Sequence, residues 1–217
     1  MTANGDAVAV LIGSGPSLSK IDIKSLVRFK SIAFNRSWLA WDEWGFDPTW
    51  YACLDGNSIG LLENDLKGVI ASRRCHRWFL NNKTQLRGSS VTLVATDAQA
   101  PLAAVDKIAD MGNVGATALQ LLAGMGIRKI LMVGIDAQYG PSSVGRDCNH
   151  FRPDYAVRDI GPADAALFRR YVAGWPKIAA VCRDWGMEVM NASPGTVLRD
   201  FPVVSLEGGI AWLEEHL

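Results

Sequence analysis

The sequence predicts one α/β domain in which a mainly parallel sheet is flanked by helices. Its 217 residues, 49% hydrophobic and 20% charged, have the size and balance of one domain with a substantial core. Short runs rich in Val, Ile and Leu alternate with longer segments of helical period, which is typical of parallel strands joined by helices. No repeat or linker divides the chain. These observations predict a single Rossmann-like domain over residues 1–217.

Six apolar runs are predicted as the strands of this sheet. Each is short and rich in aliphatic residues, and each ends near Gly, Asn or Asp, where the chain can turn. The predicted strands cover residues 7–12, 31–34, 49–53, 91–94, 129–133 and 188–190.

Two segments have the pattern of helices. Residues 114–125 are apolar almost all round, which predicts a buried helix, and Gly126 supplies its stop. Residues 163–184 repeat large side chains at steps of three and four, which places them on one face of a helix. That face is formed by Leu167, Tyr171, Trp175, Ile178 and Cys182. Pro176 is expected to kink or interrupt this second helix.

Between these elements, residues 139–161 have no clear period and contain several Gly, Pro, Ser and Asp residues. A loop of this length inside a compact domain is typically functional rather than a simple connection. We therefore predict a lid-like loop over residues 139–161.

Charge and cysteine content exclude several classes of function. Lys and Arg number 22, as do Asp and Glu, so no global field attracts the chain to nucleic acid or anionic lipid. The cysteines form no C-x-x-C pair, and no His, Cys, Asp or Glu spacing suggests a preformed metal site. The sequence therefore predicts neither a metal centre nor a nucleic-acid partner, and it is compatible with a homo-oligomer.

The start of the chain has no targeting pattern. Residues 1–6 contain no basic residue, and the following apolar run is too short for a signal peptide core or a membrane span. We expect no transmembrane segment and a cytoplasmic location. Any membrane association would be a peripheral contact at the inner membrane.

A glycine-rich turn follows the first predicted strand. The turn has the sequence Gly13-Ser14-Gly15-Pro16-Ser17-Leu18. Glycines there let backbone amides approach an anionic ligand without a side-chain clash, which favours phosphate binding. The turn does not match the dinucleotide-binding fingerprint, because Leu18 occupies the position of its third glycine and Asn35 occupies the position of the acid that binds ribose. It does not match a P-loop either, because no G-K-[ST] follows. The alternative is a tight turn with no ligand.

Polar residues also follow other predicted strands. Asn35 and Asp55 come after the second and third strands, where open α/β sheets bind ligands, and Asn57 lies two residues further on. A neutral amide donates and accepts hydrogen bonds, as a base or a ribose requires. Gly134 and Asp136 leave a later strand. The alternative for residues 55–57 is an ordinary turn.

One histidine lies in the predicted lid-like loop. His216 is near the end of the chain and His76 is in a basic run, whereas His150 is in the glycine-rich loop. Histidine titrates near neutral pH and can take a proton from a hydroxyl nucleophile. Tyr139 and Tyr155 flank it and could hydrogen-bond a departing phosphate. The alternatives are a solvated surface histidine and two tyrosines that only pack.

The turn at residues 13–18, the pair Phe34-Asn35 and the segment from Gly134 to Tyr139 resemble motifs of the bacterial lipooligosaccharide sialyltransferases. Those enzymes carry a G-N-G-P-S-L turn, a C-N after the next strand, a G-I-D-x-Y segment and a later histidine that acts as general base. The resemblance covers most of the chain, including residues 191–198, which resemble the family's closing C-P-N-S-L-L segment.

A second resemblance is to the family around the archaeal-type 6-hydroxymethylpterin pyrophosphokinase, which includes proteins implicated in flagellin glycosylation. It is carried by residues 15–18, by residues 45–48 leading to Asp55, and by residues 114–119 leading to Gly134-Ile135-Asp136.

The first resemblance implies a site for a cytidine monophosphate (CMP) donor. The glycine turn and Asn35 would hold the donor, and Asp55 or Asn57 would contact the same ligand. Tyr139 and Tyr155 would assist the leaving phosphate, and His150 would deprotonate the acceptor. The chain has Ser14 and Met111 where the sialyltransferases have an asparagine and an arginine.

These observations predict a metal-independent glycosyltransferase that needs no cofactor. It would move an acidic sugar from a CMP-activated donor to a hydroxyl of a glycan or protein acceptor. One alternative is ATP-dependent pyrophosphoryl transfer, in which Asp55 and Asp136 would carry Mg²⁺. Another is a nucleotide-binding protein without catalysis. The glycosyltransferase requires the first three strand ends and His150 to meet in one cleft.

Overall fold

An eight-stranded, all-parallel sheet forms the centre of the computed structural model, which describes residues 7–97, 107–159, 161 and 165–217. The predicted parallel sheet flanked by helices is confirmed. The strands are β1 (Ala7–Ile12), β2 (Ser31–Phe34), β3 (Trp50–Cys53), β4 (Arg77–Asn81), β5 (Val91–Asp97), β6 (Lys107–Ala109), β7 (Ile127–Val133) and β8 (Glu188–Asn191). All six predicted strands are present, and β4 and β6 were not predicted.

The strand order is β6-β5-β4-β3-β2-β1-β7-β8. Strand β1 therefore lies between β2 and β7, and the order changes direction there. The carboxyl ends of β1 and β7 are in register, with Ile12 opposite Val133. In open α/β sheets ligands bind outside the carboxyl ends of the strands at such a switch point.

Five α-helices and three 3-10 helices connect the strands in the described part of the chain. The α-helices are α1 (Trp41–Trp44), α2 (Gly56–Ser72), α3 (Val114–Gly124), α4 (Ala165–Asp184) and α5 (Leu206–Glu214). The 3-10 helices cover Pro16–Lys20, Ile23–Leu26 and Asn35–Ala40. Among the described helices, none is both long and apolar enough to span a membrane.

The sheet is buried on both faces. Along β1, Ala9 and Leu11 pack in the core that includes α3 and α4, whereas Val10 and Ile12 pack in the core that includes α2 and α5. Both sets are fully buried. A strand covered on two sides has no polar face, which explains why these strands read as continuous apolar runs.

Helices α3 and α4 match the two predicted helices with small differences. Helix α3 is buried along most of its length and ends at Gly124, ahead of Gly126, whose φ is +81°. The first residues of the predicted helix 163–184 lie outside the described residues, and α4 is described from Ala165. The expected interruption at Pro176 is wrong, because α4 continues through it. A proline removes one N–H of the helix ladder, but the turns on either side of Pro176 remain helical, and the expected kink stays a prediction.

Candidate functional site

A cleft lies over the carboxyl ends of β1, β2, β3 and β7, with α3, α4 and the loop after β7 as its walls. Its cavity volume is about 240 Å³, far more than the roughly 10–15 Å³ that one water needs. Nine of the predicted site residues line it: Ser14, Gly15, Asn35, Asp55, Gly134, Asp136, Tyr139, His150 and Tyr155. The strand ends and the loop histidine therefore share one cleft. Gly13, Pro16, Ser17 and Asn57 are not among its lining residues.

The glycine turn is held tightly against the segment that follows β7. The Gly13 N–H donates to the Val133 carbonyl at 2.7 Å, and the Gly15 N–H donates to the Gly134 carbonyl at 2.8 Å. A Cβ added at Gly13 would lie 2.3 Å from the Gly134 carbonyl oxygen. The glycines are thus required by the close approach of two backbone segments, and these two amides already have partners.

Asp136 makes a further contact between the glycine turn and the segment that follows β7. Its carboxylate accepts the Ser17 hydroxyl at 2.8 Å and the Ser17 N–H at 3.3 Å. Burial raises the pKa of the Asp136 carboxyl above its ordinary value, although the hydrogen bonds from Ser17 oppose the change. Among residues 13–17, only Ser14 and Gly15 reach the cleft.

The end of β2 has unsatisfied polar groups. Asn35 has a φ of +50°, and its backbone carbonyl accepts the Tyr51 hydroxyl at 2.8 Å. Its buried side-chain Oδ1 has no hydrogen-bond partner among the residues that the structure describes, and neither does the Nε of Arg36. Buried polar atoms are nearly always paired, so unpaired ones beside a cleft indicate where a ligand can bind.

Asp55 is the N-cap of α2. Its carboxylate accepts the N–H of Asn57 at 3.0 Å and the N–H of Ser58 at 2.7 Å. This is the ordinary turn that the sequence left open as an alternative, and it leaves Asp55 at the cleft wall. Asn57 is exposed on the first turn of α2, away from the cleft.

His150 is hydrogen-bonded through one ring nitrogen. Its Nδ1 lies 2.7 Å from Oδ2 of Asp147, and its side chain is 23% exposed whereas that of Asp147 is 1% exposed. Burial alone would raise the pKa of the Asp147 carboxyl, but the hydrogen bond and charge of His150, with Asn149 and Ser142, outweigh it and lower that pKa. Because Nδ1 is occupied, Nε2 is the ring nitrogen left for a ligand in the cleft.

Tyr155 packs directly on this imidazole. The two rings are stacked with centroids 4.1 Å apart and planes 16° from parallel. The Tyr155 hydroxyl accepts the backbone N–H of Arg36 at 3.2 Å. Burial raises the pKa of Tyr155, so its hydroxyl stays protonated at neutral pH.

Tyr139 lies against α4 instead. Its ring stacks with Phe168 at 6.3 Å and packs on Tyr171 at 5.2 Å. Burial, followed by the neighbouring Tyr171 and Asp136, raises the pKa of Tyr139. The two predicted tyrosines therefore share the cleft but have different neighbours.

The amino end of α3 also borders the cleft. The Asn113 side chain accepts the Ala116 N–H at 2.8 Å and donates to the Tyr171 carbonyl at 2.7 Å, so it joins α3 to α4. Met111 is buried in the core beside α3.

Sequence reasoning missed Asp147, Arg36 and Asn113. Asp147 lies three residues before His150, and a carboxylate that near a candidate base was a usable signal. Arg36 directly follows Asn35, but its contacts with the Asp154 and Tyr155 carbonyls join distant segments and leave no local pattern.

Within the described ranges, no three His, Cys, Asp or Glu side chains group in a way that could hold a metal ion. The two carboxylates of the Mg²⁺ alternative have other partners, because Asp55 accepts backbone amides of α2 and Asp136 accepts Ser17.

The fold is shared with known glycosyltransferases. No family model matches this chain, and no curated protein sequence matches it. The MAf glycosyltransferase from Magnetospirillum magneticum AMB-1 superposes with a TM-score of 0.59 at 14% identity, over 94% of this chain and 34% of that chain. This chain thus spans about a third of that enzyme.

Two sialyltransferases from Campylobacter jejuni are also similar. The monofunctional α-2,3-sialyltransferase Cst-I has a TM-score of 0.56 at 12% identity, over 94% of this chain and 82% of that chain. CstII, solved with the substrate analogue cytidine-5′-monophosphate, has a TM-score of 0.54 at 11% identity, over 94% and 86%. Identities this low establish the fold. The resemblance to the pterin pyrophosphokinases stays a prediction.

Proposed function

We propose that this protein is a glycosyltransferase that moves an acidic sugar from a CMP-activated donor to a hydroxyl of a glycan or protein, without a metal ion. The observation that carries this proposal is the shared cleft. His150 borders the same space as the ends of β1, β2 and β7, and Asp147 engages its Nδ1 rather than its Nε2. The shared fold supports it, since the similar structures are glycosyltransferases.

The reaction is a direct displacement. Nε2 of His150 takes the proton of the acceptor hydroxyl while that oxygen attacks the anomeric carbon of the donor. The new glycosidic bond forms as the bond between sugar and phosphate breaks, and CMP leaves with the electron pair. The Tyr155 and Tyr139 hydroxyls, which burial keeps protonated, donate to the departing phosphate and compensate its charge.

The nucleotide is assigned to the end of β2. The unpaired Oδ1 of Asn35 accepts an N–H or O–H of a base or ribose. A carboxylate at this position would accept as well, but it would add a negative charge beside the ligand. Ser14 lines the same cleft, and its carbonyl accepts the N–H of Phe151, the residue after His150. The presence of CMP in the similar CstII structure supports a cytidine nucleotide.

The metal-independent mechanism rests on the carboxylates that face the cleft. Asp55 and Asp136 are both engaged by hydrogen bonds inside the fold and Asp110 is paired with Arg170, so the phosphate is met by hydroxyl groups instead. The reaction takes place in the cytoplasm, with a membrane-displayed glycan as one form of acceptor.

A ligand screen tests the nucleotide. The thermal stability of the full chain is measured with CMP, CDP, UDP, GDP and ATP, each with and without Mg²⁺. A ligand at a hundredfold excess over its dissociation constant stabilises the folded state by about 2.7 kcal/mol. We expect CMP to stabilise the chain without Mg²⁺. Stabilisation by ATP with Mg²⁺ alone would instead support the pyrophosphokinase alternative.

A variant tests the base. We expect His150→Ala to lower the rate of CMP release from the donor by about 100-fold or more, because general-base catalysis contributes an effect of that order. His76→Ala is the matched control, since His76 is exposed ahead of β4 and does not line the cleft. Undiminished turnover of His150→Ala would remove His150 as the base.

A further inference from the structure

We propose that Asp147 is a positioning residue that holds His150 in the tautomer with the proton on Nδ1, so that Nε2 presents its lone pair to the cleft. This inference rests on the proposed function for the role of His150 as a base, but the tautomer itself is a property of the resting protein.

The Asp147 carboxylate is fixed on both of its oxygens. Oδ1 accepts the Ser142 hydroxyl at 3.0 Å and the Asn149 N–H at 2.8 Å, while Oδ2 lies 2.7 Å from Nδ1 of His150. The backbone N–H of Asp147 donates to the Pro153 carbonyl at 3.0 Å. The orientation of Oδ2 toward the imidazole is therefore set by contacts that do not involve the histidine.

An ionised carboxylate only accepts hydrogen bonds, so the ring nitrogen that faces it must carry the proton. The side chain of Asp147 is 1% exposed, and a buried carboxylate without a donor is costly. The hydrogen bond to Nδ1–H is thus part of what makes the buried charge acceptable. The same bond leaves Nε2 unprotonated in the neutral ring.

The plane of the imidazole is fixed as well. Tyr155 stacks on it at 4.1 Å, and the Tyr155 hydroxyl is held by the backbone N–H of Arg36. The neighbouring Phe151 N–H donates to the Ser14 carbonyl at 2.9 Å. The base is therefore tied to the turn after β1, and only rotation within the stacked plane is left for Asp147 to restrain.

Asp147 also has a role in the proton balance of the transfer. When Nε2 takes the proton of the acceptor hydroxyl, the ring becomes an imidazolium with both nitrogens protonated. Nδ1–H remains hydrogen-bonded to the Asp147 carboxylate, whose charge stabilises the cation without receiving the proton. This is the division of roles between aspartate and histidine in hydrolytic triads.

A purely structural role for Asp147 is the competing explanation. If Asp147 only stabilises the loop, its bonds to Ser142, Asn149 and Pro153 are sufficient and its contact with the imidazole is not required. The two explanations differ in what happens to the ring when the carboxylate becomes an amide, because the amide of Asp147→Asn can donate to Nδ1 and stabilise the opposite tautomer.

The test combines ring-nitrogen NMR with steady-state kinetics on the full chain. His150 signals are assigned by their loss in His150→Ala. In the wild type we expect the neutral ring to carry its proton on Nδ1. In Asp147→Asn we expect the Nε2-protonated form and a fall in kcat for CMP release of about 100-fold, with the donor KM little changed, since the substrate contacts remain.

Ser142→Ala is the matched control. It removes one of the two hydrogen bonds to Oδ1, and the Asn149 N–H still holds that oxygen, so we expect the contact between Asp147 and His150 to remain. We expect the wild-type tautomer and a kcat within a few-fold of wild type, because Oδ2 of Asp147 still faces Nδ1 of His150. If Ser142→Ala lowered kcat as far as Asp147→Asn does, loss of loop stability alone would explain the effect of both variants.

The outcomes separate this inference from the proposed function. A wild-type ring protonated on Nε2 would overturn the role of Asp147 whatever the activity, and it needs no variant to fold. An Nδ1-protonated ring together with full activity of His150→Ala would instead refute the catalytic base and leave the pairing intact. An unchanged kcat in a folded Asp147→Asn with an altered tautomer would also overturn the inference.

Discussion

The two strand ends beside the candidate base differ in how their polar groups are satisfied. After β1, the amides of Gly13 and Gly15 and the side chain of Ser17 are bonded to the segment after β7. After β2, the buried Oδ1 of Asn35 and Nε of Arg36 have no partner within the described residues. The glycine-rich turn therefore mainly braces β1 against β7, and of these two strand ends the one after β2 keeps buried polar atoms available to a ligand.

This contrast shows that a glycine-rich motif at a sheet edge has two separable uses. Glycine allows close approach of a ligand, but it equally allows close approach of another backbone segment. Here the second use accounts for Gly13, whereas Ser14 between the two glycines still reaches the cleft.

Gly13→Ala tests the bracing role and has the largest expected effect. Its Cβ would lie 2.3 Å from a backbone oxygen that cannot rotate away. We expect a loss of roughly 3 kcal/mol in the free energy of unfolding, at the upper end of overpacking effects. Urea denaturation measures it. Gly68→Ala in α2 is the control, because nothing lies within 4 Å of its Cβ position, and it should stabilise the chain by about 0.5–1 kcal/mol. Equal stability of both variants would contradict the bracing role.

Asn35→Gly tests the other strand end and should affect binding more than folding. Glycine accepts the positive φ of this residue and removes the unpaired Oδ1, so little native interaction is lost. We expect CMP affinity to fall about five- to tenfold, as the loss of one hydrogen bond predicts. Calorimetric titration measures it, with Asn82→Gly in the exposed turn after β4 as the control. An unchanged affinity would show that Oδ1 does not contact the nucleotide.

Asp136→Asn tests the contact between the glycine turn and the segment after β7 through a smaller, pH-dependent effect. The folded pKa of Asp136 is raised by burial, so the folded state holds this proton more tightly than the unfolded state does. Its contribution to stability therefore increases as pH falls from the folded pKa toward the ordinary one, and it is lost as pH rises through that window. The variant should lack this increment, measured as the difference in Tm from wild type between pH 4 and 7 in roughly half-unit steps. A constant difference would contradict the shift.

The alternation of apolar runs predicted most of the fold. Strands such as β1 and β2 have the predicted limits. Both faces of these strands are covered, so each strand appears in the sequence as one short, mainly apolar run. Strand β4 was missed because its apolar residues, Trp78, Phe79 and Leu80, are few and directly follow a basic run. Its burial comes from pairing with β3 and β5, which the local sequence does not display.

The candidate site was predictable to the same extent. Residues that follow strands, such as Asn35 and Gly134, could be assigned to the sheet edge because the carboxyl ends of parallel strands lie together. Arg36 could not, since its guanidinium donates to carbonyls of Asp154 and Tyr155 that are more than a hundred residues away in the chain.

The parallel α/β architecture and the strand ends around the cleft were predictable from the amino-acid sequence, because periodicity and turn residues are local properties. Which of these groups remain available to a ligand depends on contacts between distant segments of the folded chain. Gly15 and Asp136 are satisfied by each other's segments, whereas Asn35 is not. The physical reason is that hydrogen-bond satisfaction depends on which distant atoms the fold brings within about 3 Å, and no local pattern encodes that distance.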